Sequence, residues 1–388
     1  VNFPRIFADL HIHIGWTANG LPVKVTGSRK LTFANILQEA SHRKGMDMVG
    51  IIDAHSPPVI AEIEEGIADR RLKEHQGGGL LYQGTTAILG TEIELRGTQG
   101  LFHVLTYVPD LMAMKELSHF LARYMKNPQL STQRFHGGID QLVEKVQKVG
   151  GIVIPAHVFT PFKSVYGSAC HHITELFEPN TLAGIELGLS CDTAMADQIE
   201  ELASFTFLSN SDAHSLGKIG REYNEIALKE SSFSELKMAL MRQDGRQVTK
   251  NYGLDPKLGK YYRTRCANCG KRCETSEVCC AVCKSPRIIK GVSDRIAEIA
   301  TPSAVPPSHR APYIYQVPLE FIPKVGPKTL DKLFTHFGTE MTVIHRTPLE
   351  AIARLVGEPI AKQIGLAREN CLVLEEGGGG VYGRIAKK

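Results

Sequence analysis

The sequence predicts an α/β protein followed by two smaller parts, and three observations carry that prediction. Over residues 5–250, short apolar runs alternate with helical patterns, as they do in an α/β barrel or a doubly wound sheet. Between Cys266 and Cys283, two C-x-x-C pairs stand ten residues apart, the pattern of a small metal-liganded module. Residues 300–312 are proline-rich and cannot be helical, and a helical pattern resumes beyond them. The 388 residues are therefore expected to divide into 1–250, a cysteine module at 251–299, a linker at 300–312 and an all-α part at 313–388.

In the first part, strand-like runs end in or carry metal-binding residue types. The stretch Phe7-Ala8-Asp9-Leu10-His11-Ile12-His13 alternates apolar and polar residues, the period of a strand, which puts His11 and His13 on one face. The run at 48–52 ends in Asp53-Ala54-His55, and the run at 86–90 leads into Thr91-Glu92. The run at 101–105 carries His103, and that at 151–155 ends in Ala156-His157. The run at 184–187 continues to Ser190, and that at 206–210 ends in Asn210-Ser211-Asp212-Ala213-His214. Helical patterns at 31–44, 139–149 and 195–204 lie between them. In a barrel of parallel strands such positions converge on one rim. A random scatter of 15 histidines would not place so many at strand ends. His42, His75, His119, His136, His171 and His172 lack that placement and read as surface or helix residues.

Composition narrows the class. Hydrophobic residues at 43% and charged residues at 22% exclude a disordered or fibrous chain. No apolar run is long enough for a membrane span, and the N-terminal stretch has no charged-then-apolar signal, so no membrane partner is expected. Six of the nine cysteines fall between Cys266 and Cys283. That clustering favours metal in a reducing compartment over a disulfide framework and predicts a cytoplasmic protein. The net charge of +4 suits an anionic partner without identifying one.

The His11-x-His13 pair, Asp53-x-His55, Glu92, His157 after Pro-Ala, and Asp212-x-His214 together resemble the PHP (polymerase and histidinol phosphatase) superfamily. The resemblance implies a distorted (β/α)7 barrel that holds two or three divalent ions and hydrolyses phosphoesters. It implies metal ligation by His11, His13, His55, Glu92, His103, His157, Asp212 and His214. Glu92 then bridges ions, and Asp212 both ligates and orients the attacking water. Where trinuclear members carry another histidine after the first pair, this sequence has Trp16, Thr17 and Asn19, so the count stays at two or three. Mixed His/Asp/Glu ligation suits zinc, manganese or iron better than magnesium alone. Zinc is expected, with Mg2+ or Mn2+ as alternatives for activity. Asp9 and Asp53 are expected to orient the imidazoles.

Cys266, Cys269, Cys280 and Cys283 predict one closed structural zinc site, with Cys273 and Cys279 spare or alternates. After the linker, Leu319–Ile322, a turn at Gly326 and a helix opening Pro327-Lys328-Thr329 resemble a helix-hairpin-helix, with a weaker second copy at 355–361. That module grips DNA backbone through helix N-terminal amides and Lys324, Gly326, Lys328 and Thr329. The glycine run at 377–380 and the basic end after it read as flexible.

A PHP barrel, a four-cysteine module and a helix-hairpin-helix, in that order, closely resemble the endonuclease Q family over nearly the whole chain. The resemblance implies a DNA repair endonuclease that nicks 5′ of deaminated bases (hypoxanthine, uracil, xanthine) or abasic sites, leaving a 3′-hydroxyl and a 5′-phosphate. Its partner is duplex or single-stranded DNA, the chain is expected to act as a monomer, and assistance by a sliding clamp is left open. Asn210 and Ser190 are candidates for reading the base edge, and Lys163, Arg134 and Lys24 for touching phosphate. Two rival readings stand beside this one: a small-molecule phosphatase of the histidinol-phosphate type, which needs only the barrel, and a non-catalytic DNA-binding adaptor.

Overall fold

In the computed structural model, which describes residues 3–386, seven strands close a barrel. They are β1 (Arg5–Ile12), β2 (Met48–Ile51), β3 (Thr85–Arg96), β4 (Leu101–Val108), β5 (Ile152–Pro155), β6 (Ile185–Glu186) and β7 (Phe207–Leu208). β1–β2, β2–β3 and β6–β7 pair in parallel, while β4 runs antiparallel to both β3 and β5. Ala183 N donates to Val153 O at 3.0 Å beside β5 and β6. The ring closes where His13 N donates to Ala213 O and Ala213 N to His11 O, both at 3.1 Å. The barrel is thus of the expected distorted seven-strand kind. The expectation of uniformly parallel strands fails at β4, because only four residues connect β3 to β4, too few for a crossover helix.

Alternation along the strands sorts the apolar residues into two layers. Leu10, Met48, Ile88, Leu105, Tyr107, Ile154 and Leu208 form one buried cluster. The Tyr107 hydroxyl in β4 donates to the Leu10 carbonyl in β1, so this cluster spans the barrel interior. Val49, Ile51, Leu89, Val104 and Val153 belong to the outer layer, with Phe33, Leu117 and Leu142 from the surrounding helices. Helices Leu111–Ala122 and Ile139–Lys148 form as their patterns predict, the first capped by Asp110 accepting from Ala113 N at 2.8 Å. The pattern at 31–44 gives helix Phe33–Gln38 and then a π-helical turn, Glu39–Lys44. That at 195–204 yields only Thr193–Ala196 and a 3₁₀ turn, because Asp192 caps the helix early and the backbone of Ile199 is extended.

The sheet continues past the barrel. β8 (Tyr223–Ala227) pairs antiparallel with β1, β9 (Gln247–Gly253) with β8, and β10 (Tyr313–Tyr315) lies parallel to β9. The division expected at residue 250 therefore falls inside β9, and the first residues of the expected all-α part form a strand of the barrel sheet. Beyond β10, helices Pro327–Phe337, Glu340–His345, Leu349–Val356 and Glu358–Arg368 pack around Leu319, Ile322, Leu333, Val343, Ile352 and Ile364. This helical part is fastened to the barrel by Lys44–Glu340 and Lys218–Glu320, each 2.6 Å. The glycine run expected to be flexible is hydrogen-bonded: Gly377, Gly380 and Gly383 amides donate to the carbonyls of Lys257, Lys260 and Leu258. No helix among the described residues is long and apolar enough to cross a membrane.

Candidate metal centre

The pairing of β1 with β2 shifts register between Asp9 and Ile12, so β1 leaves the regular ladder where it delivers its two histidines to the rim. His11 Nε2 and His13 Nε2 lie 3.2 Å apart, both fully buried. Glu92 sits within β3 rather than after it, eight residues into a twelve-residue strand. Its Oε1 lies 3.1 Å from His103 Nδ1, 3.2 Å from His157 Nε2 and 3.7 Å from His11 Nε2. Its Oε2 lies 3.5 Å from His13 Nε2. His103 reaches the rim because β4 is reversed and starts there, opposite Glu94 of β3.

Asp212 Oδ1 lies 3.3 Å from His13 Nε2, 3.4 Å from His11 Nε2 and 3.6 Å from His214 Nδ1. Three sets of donors result, the ligand atoms of each lying within 4.8 Å of one another: His11, His13 and Glu92; His13, Asp212 and His214; Glu92, His103 and His157. These imidazole nitrogens and carboxylate oxygens are the ligand chemistry of divalent transition ions. Three residues here adopt positive φ, Asp53 at 77°, His157 at 31° and Asp212 at 47°, strain that surrounding structure must hold. Gly188, at φ 81°, makes room for one of them: a Cβ there would lie 2.9 Å from His157 Cβ.

Burial alone would raise the Asp212 carboxyl, but His11, His13 and His214 hold it well below the usual range. Glu92 is likewise kept anionic against burial, by His103 and Lys24. Burial would lower His11, yet Glu186, Asp212 and Glu92 carry it up to about 10. An ion held by His11 would take the place of that proton, since metal binds the deprotonated form of its ligands.

Not every expected ligand joins the centre. His55 is fully buried, neither ring nitrogen has a partner among the described residues, and it belongs to none of the three donor sets. Asp53 turns back instead: its Oδ2 takes His13 Nδ1 at 2.9 Å, the orienting role expected of it. Asp9 does not touch an imidazole. It accepts from the amides of Ser211 and Gly220 at 3.1 and 2.8 Å, fixing the loop that carries Asp212. Glu186 went unrecognised as a run-interior residue; its Oε2 lies 2.9 Å from His11 Nδ1, and its Oε1 accepts from His157 N at 3.0 Å.

Asn210 lines the cavity over the donors and is also held from behind. Its Oδ1 accepts from Leu10 N and Asn224 Nδ2, both at 3.0 Å, and its amide donates to Glu186 at 2.8 Å, so it braces the centre from within. Ser190 lines a cavity of about 520 Å³ over the donors, walled also by Phe162, Tyr261 and Tyr382. Tyr382 arrives there on the docked C-terminal segment. Lys163 and Arg134 pair with Glu94 at 2.8 and 2.9 Å. Lys24 enters the centre itself, its Nζ 2.9 Å from Thr132 Oγ1, 3.2 Å from His13 Nε2 and 3.4 Å from Glu92 Oε2.

The sulfur pairs Cys266–Cys283 and Cys269–Cys280 lie 3.5 and 3.6 Å apart, and all four sulfurs fall within 4.8 Å. Four thiolates about 2.3 Å from one tetrahedral ion would lie roughly 3.8 Å apart, so the arrangement fits one. Cys273 is buried outside the four and Cys279 is exposed. In the hairpin, Gly326 caps helix Pro327–Phe337 at φ −94°, and the left-handed residue is Lys324 at 70°. The helix before the turn is a three-residue 3₁₀ turn, Leu319–Phe321. The second copy forms fully, with Gly357 at φ 94° between two helices.

No family model matches the chain. The uncharacterized protein YqxK of Bacillus subtilis is 50% identical over 387 residues, covering 98% of this chain and 99% of that protein. The crystal structure of PfuEndoQ, a lesion-specific endonuclease from Pyrococcus furiosus, is 31% identical with a TM-score of 0.84, covering 98% of this chain and 95% of that one. Endonuclease Q in complex with a 27-mer duplex carrying an abasic lesion at its active site is 30% identical with a TM-score of 0.85, covering 99% and 97%. Likeness at this level along both full chains embraces the barrel, the four cysteines and the paired hairpins together: the chain belongs to the endonuclease Q family.

Proposed function

We propose that the protein is a lesion-specific DNA endonuclease that hydrolyses the phosphodiester 5′ of a deaminated base or abasic site, leaving a 3′-hydroxyl and a 5′-phosphate. The observation that carries the reading is the convergence of three donor sets on Glu92 and His13, at the floor of a cavity with aromatic walls. Divalent ions there, zinc or manganese by ligand type, would supply a nucleophilic water near neutral pH and charge to meet the in-line displacement. Glu92 faces two donor sets with its two oxygens, and Asp212, one-third exposed at 32%, orients the water from the cavity side. His13 holds its position through Asp53, and His11 and the backbone of His157 hold theirs through Glu186. A single zinc on the four cysteines is structural in this reading.

The duplex is held by the helical part, where the amides opening helix Pro327–Phe337, with Lys324, Lys328 and Thr329, take phosphate without reading sequence. The lesion nucleotide leaves the stack and enters the cavity, at lower cost when its base is mispaired or missing. Phe162 and Tyr261, with ring centroids 5.8 Å apart, offer it an aromatic wall beside Ser190. The barrel, cysteine module and helical part are the three working units of this scheme.

The test is nicking of matched duplexes that carry one uracil, one hypoxanthine, one abasic site or no lesion, by wild type and Asp212→Ala. A cut immediately 5′ of each lesion, absent from undamaged duplex and from the variant, is expected. Uniform cleavage, or turnover of phosphomonoesters alone, would overturn the reading.

A further inference from the structure

His13 has one lone pair to give, and two cations compete for it. Its Nδ1 faces Asp53 Oδ2 at 2.9 Å, which fixes the proton there and leaves Nε2 as the acceptor. Lys24 Nζ lies 3.2 Å from that Nε2, at the place an ion must approach to bind His13. The same ammonium is 3.4 Å from Glu92 Oε2, the carboxylate oxygen nearest His13. Both donor sets that include His13 therefore require Lys24 to withdraw. The third set, Glu92 Oε1 with His103 and His157, carries no such competitor: the nearby Lys163 and Arg134 are engaged by Glu94.

Withdrawal is open to this side chain. Its shortest contact, 2.9 Å, is to a hydroxyl, Thr132 Oγ1, with the Glu92 carboxylate farther off at 3.4 Å, and 16% of the side chain reaches solvent. A lysine is a point charge on a flexible stem, so the ammonium can leave His13 while staying near the rim. Once displaced it is an unneutralised cation beside a newly bound one. The species that satisfies both at once is a phosphate oxygen.

We propose that Lys24 couples loading of the His13 ion to the arrival of phosphate: the ammonium weakens this ion in the free protein and binds the phosphate once the ion displaces it. By linkage, phosphate must then tighten the ion by the factor by which the ion tightens phosphate. This deepens the phosphoesterase reading of the same centre, and its test needs no cleavage.

The experiment is calorimetric titration of the full chain, stripped of metal and reloaded on its cysteines, with Mn2+ in the presence and absence of inorganic phosphate. In wild type, one barrel ion is expected to bind tightly throughout and a second to tighten at least 10-fold when phosphate is added. Lys24→Met is expected to bind both tightly with no phosphate dependence, and Lys24→Arg to retain that dependence. Equal affinities without a phosphate effect in wild type, or the same phosphate effect in Lys24→Met, would overturn the proposal. Should Lys24→Met fold poorly by its unfolding midpoint, the wild-type phosphate effect and the arginine variant still decide. Failure to nick lesions with the coupling intact would remove the endonuclease reading and leave this one standing.

Discussion

Glu186 Oε2 lies 2.9 Å from His11 Nδ1, and the other oxygen of the same carboxylate accepts from the backbone amide of His157 at 3.0 Å. One buried side chain thus sets the orientation of two candidate ligands from different strands. Glu186→Ala is expected to weaken divalent-ion binding about 10- to 100-fold, the usual effect of losing such a partner. Glu186→Gln, which keeps an acceptor, should lose less. Mn2+ titration of the two variants checks this, and equal losses would remove the orienting role.

The pair Lys44–Glu340 joins the π-helical turn of the barrel to the helical part, 2.6 Å apart with both side chains more than nine-tenths buried. Removing one partner leaves a buried charge, so Glu340→Leu alone is expected to cost about 3 to 5 kcal/mol in urea unfolding. The double replacement Lys44→Met with Glu340→Leu should recover most of that loss. A double variant no better than the single one would mean that the pair's hydrogen bonds to Leu319 N and Gly217 O matter more than its charge.

His345 lies 2.6 Å from the Tyr223 hydroxyl and stacks on Phe7 at 4.7 Å, across the same seam. Burial lowers its pKa from 6.5 to about 4; Glu225 opposes this, and Lys250, Arg368 and Arg346 add to it. The unfolded chain therefore takes up this proton first on acidification. The stability His345 contributes is complete above about pH 6.5, declines below it and is gone near pH 4. The loss is at most about 3 kcal/mol. Unfolding midpoints of wild type and His345→Gln across that window should converge as pH falls, and parallel curves would exclude the effect.

Lys328 stands in the first turn of helix Pro327–Phe337. If it neutralises one phosphate, Lys328→Ala should weaken binding of lesion and intact duplex alike and reduce the salt slope by about one unit. Fluorescence anisotropy over a range of KCl concentrations measures both. A loss confined to lesion DNA would place Lys328 in recognition rather than in backbone grip.

Cys280 is buried among the four sulfurs. Cys280→Ser should lower the metal content by one ion per chain and make residues 257–291 sensitive to protease. The docked C-terminal segment, whose glycine amides rest on Lys257, Leu258 and Lys260, should loosen with them. Unchanged metal content would show that Cys273 substitutes.

Much of the centre was legible because its candidate ligands sit at strand ends, where polar residues interrupt apolar runs: His11, His13, His157, Asp212 and His214 all did so. Glu186 escaped because its run, Gly184-Ile185-Glu186-Leu187, shows no break. A carboxylate inside an otherwise apolar strand was the available signal, as a buried charge needs a partner. Asp53-x-His55 offered two candidates, and local pattern does not tell which of them faces inward once Asp53 turns to positive φ. Gly326 was the natural residue for a tight turn, yet Lys324 takes the left-handed conformation, between Ile322 and Val325, which are both buried in the helical core. Lys24 and Tyr382 reach the site through contacts that join distant stretches of chain, which periodicity does not encode.

The strand Tyr313–Tyr315 lies at the border of the barrel sheet, against Asn251–Gly253. A chain cut before it would present the backbone of β9 as an open hydrogen-bonding template, an invitation to pair with another copy. A cut at residue 251 would sever β9 itself. The barrel and the helical part therefore cannot be assayed as separate pieces: a truncated barrel that aggregates or loses activity reports on its exposed border, not on its chemistry. Only side-chain substitutions that leave β9 and β10 in place can tell what each part contributes.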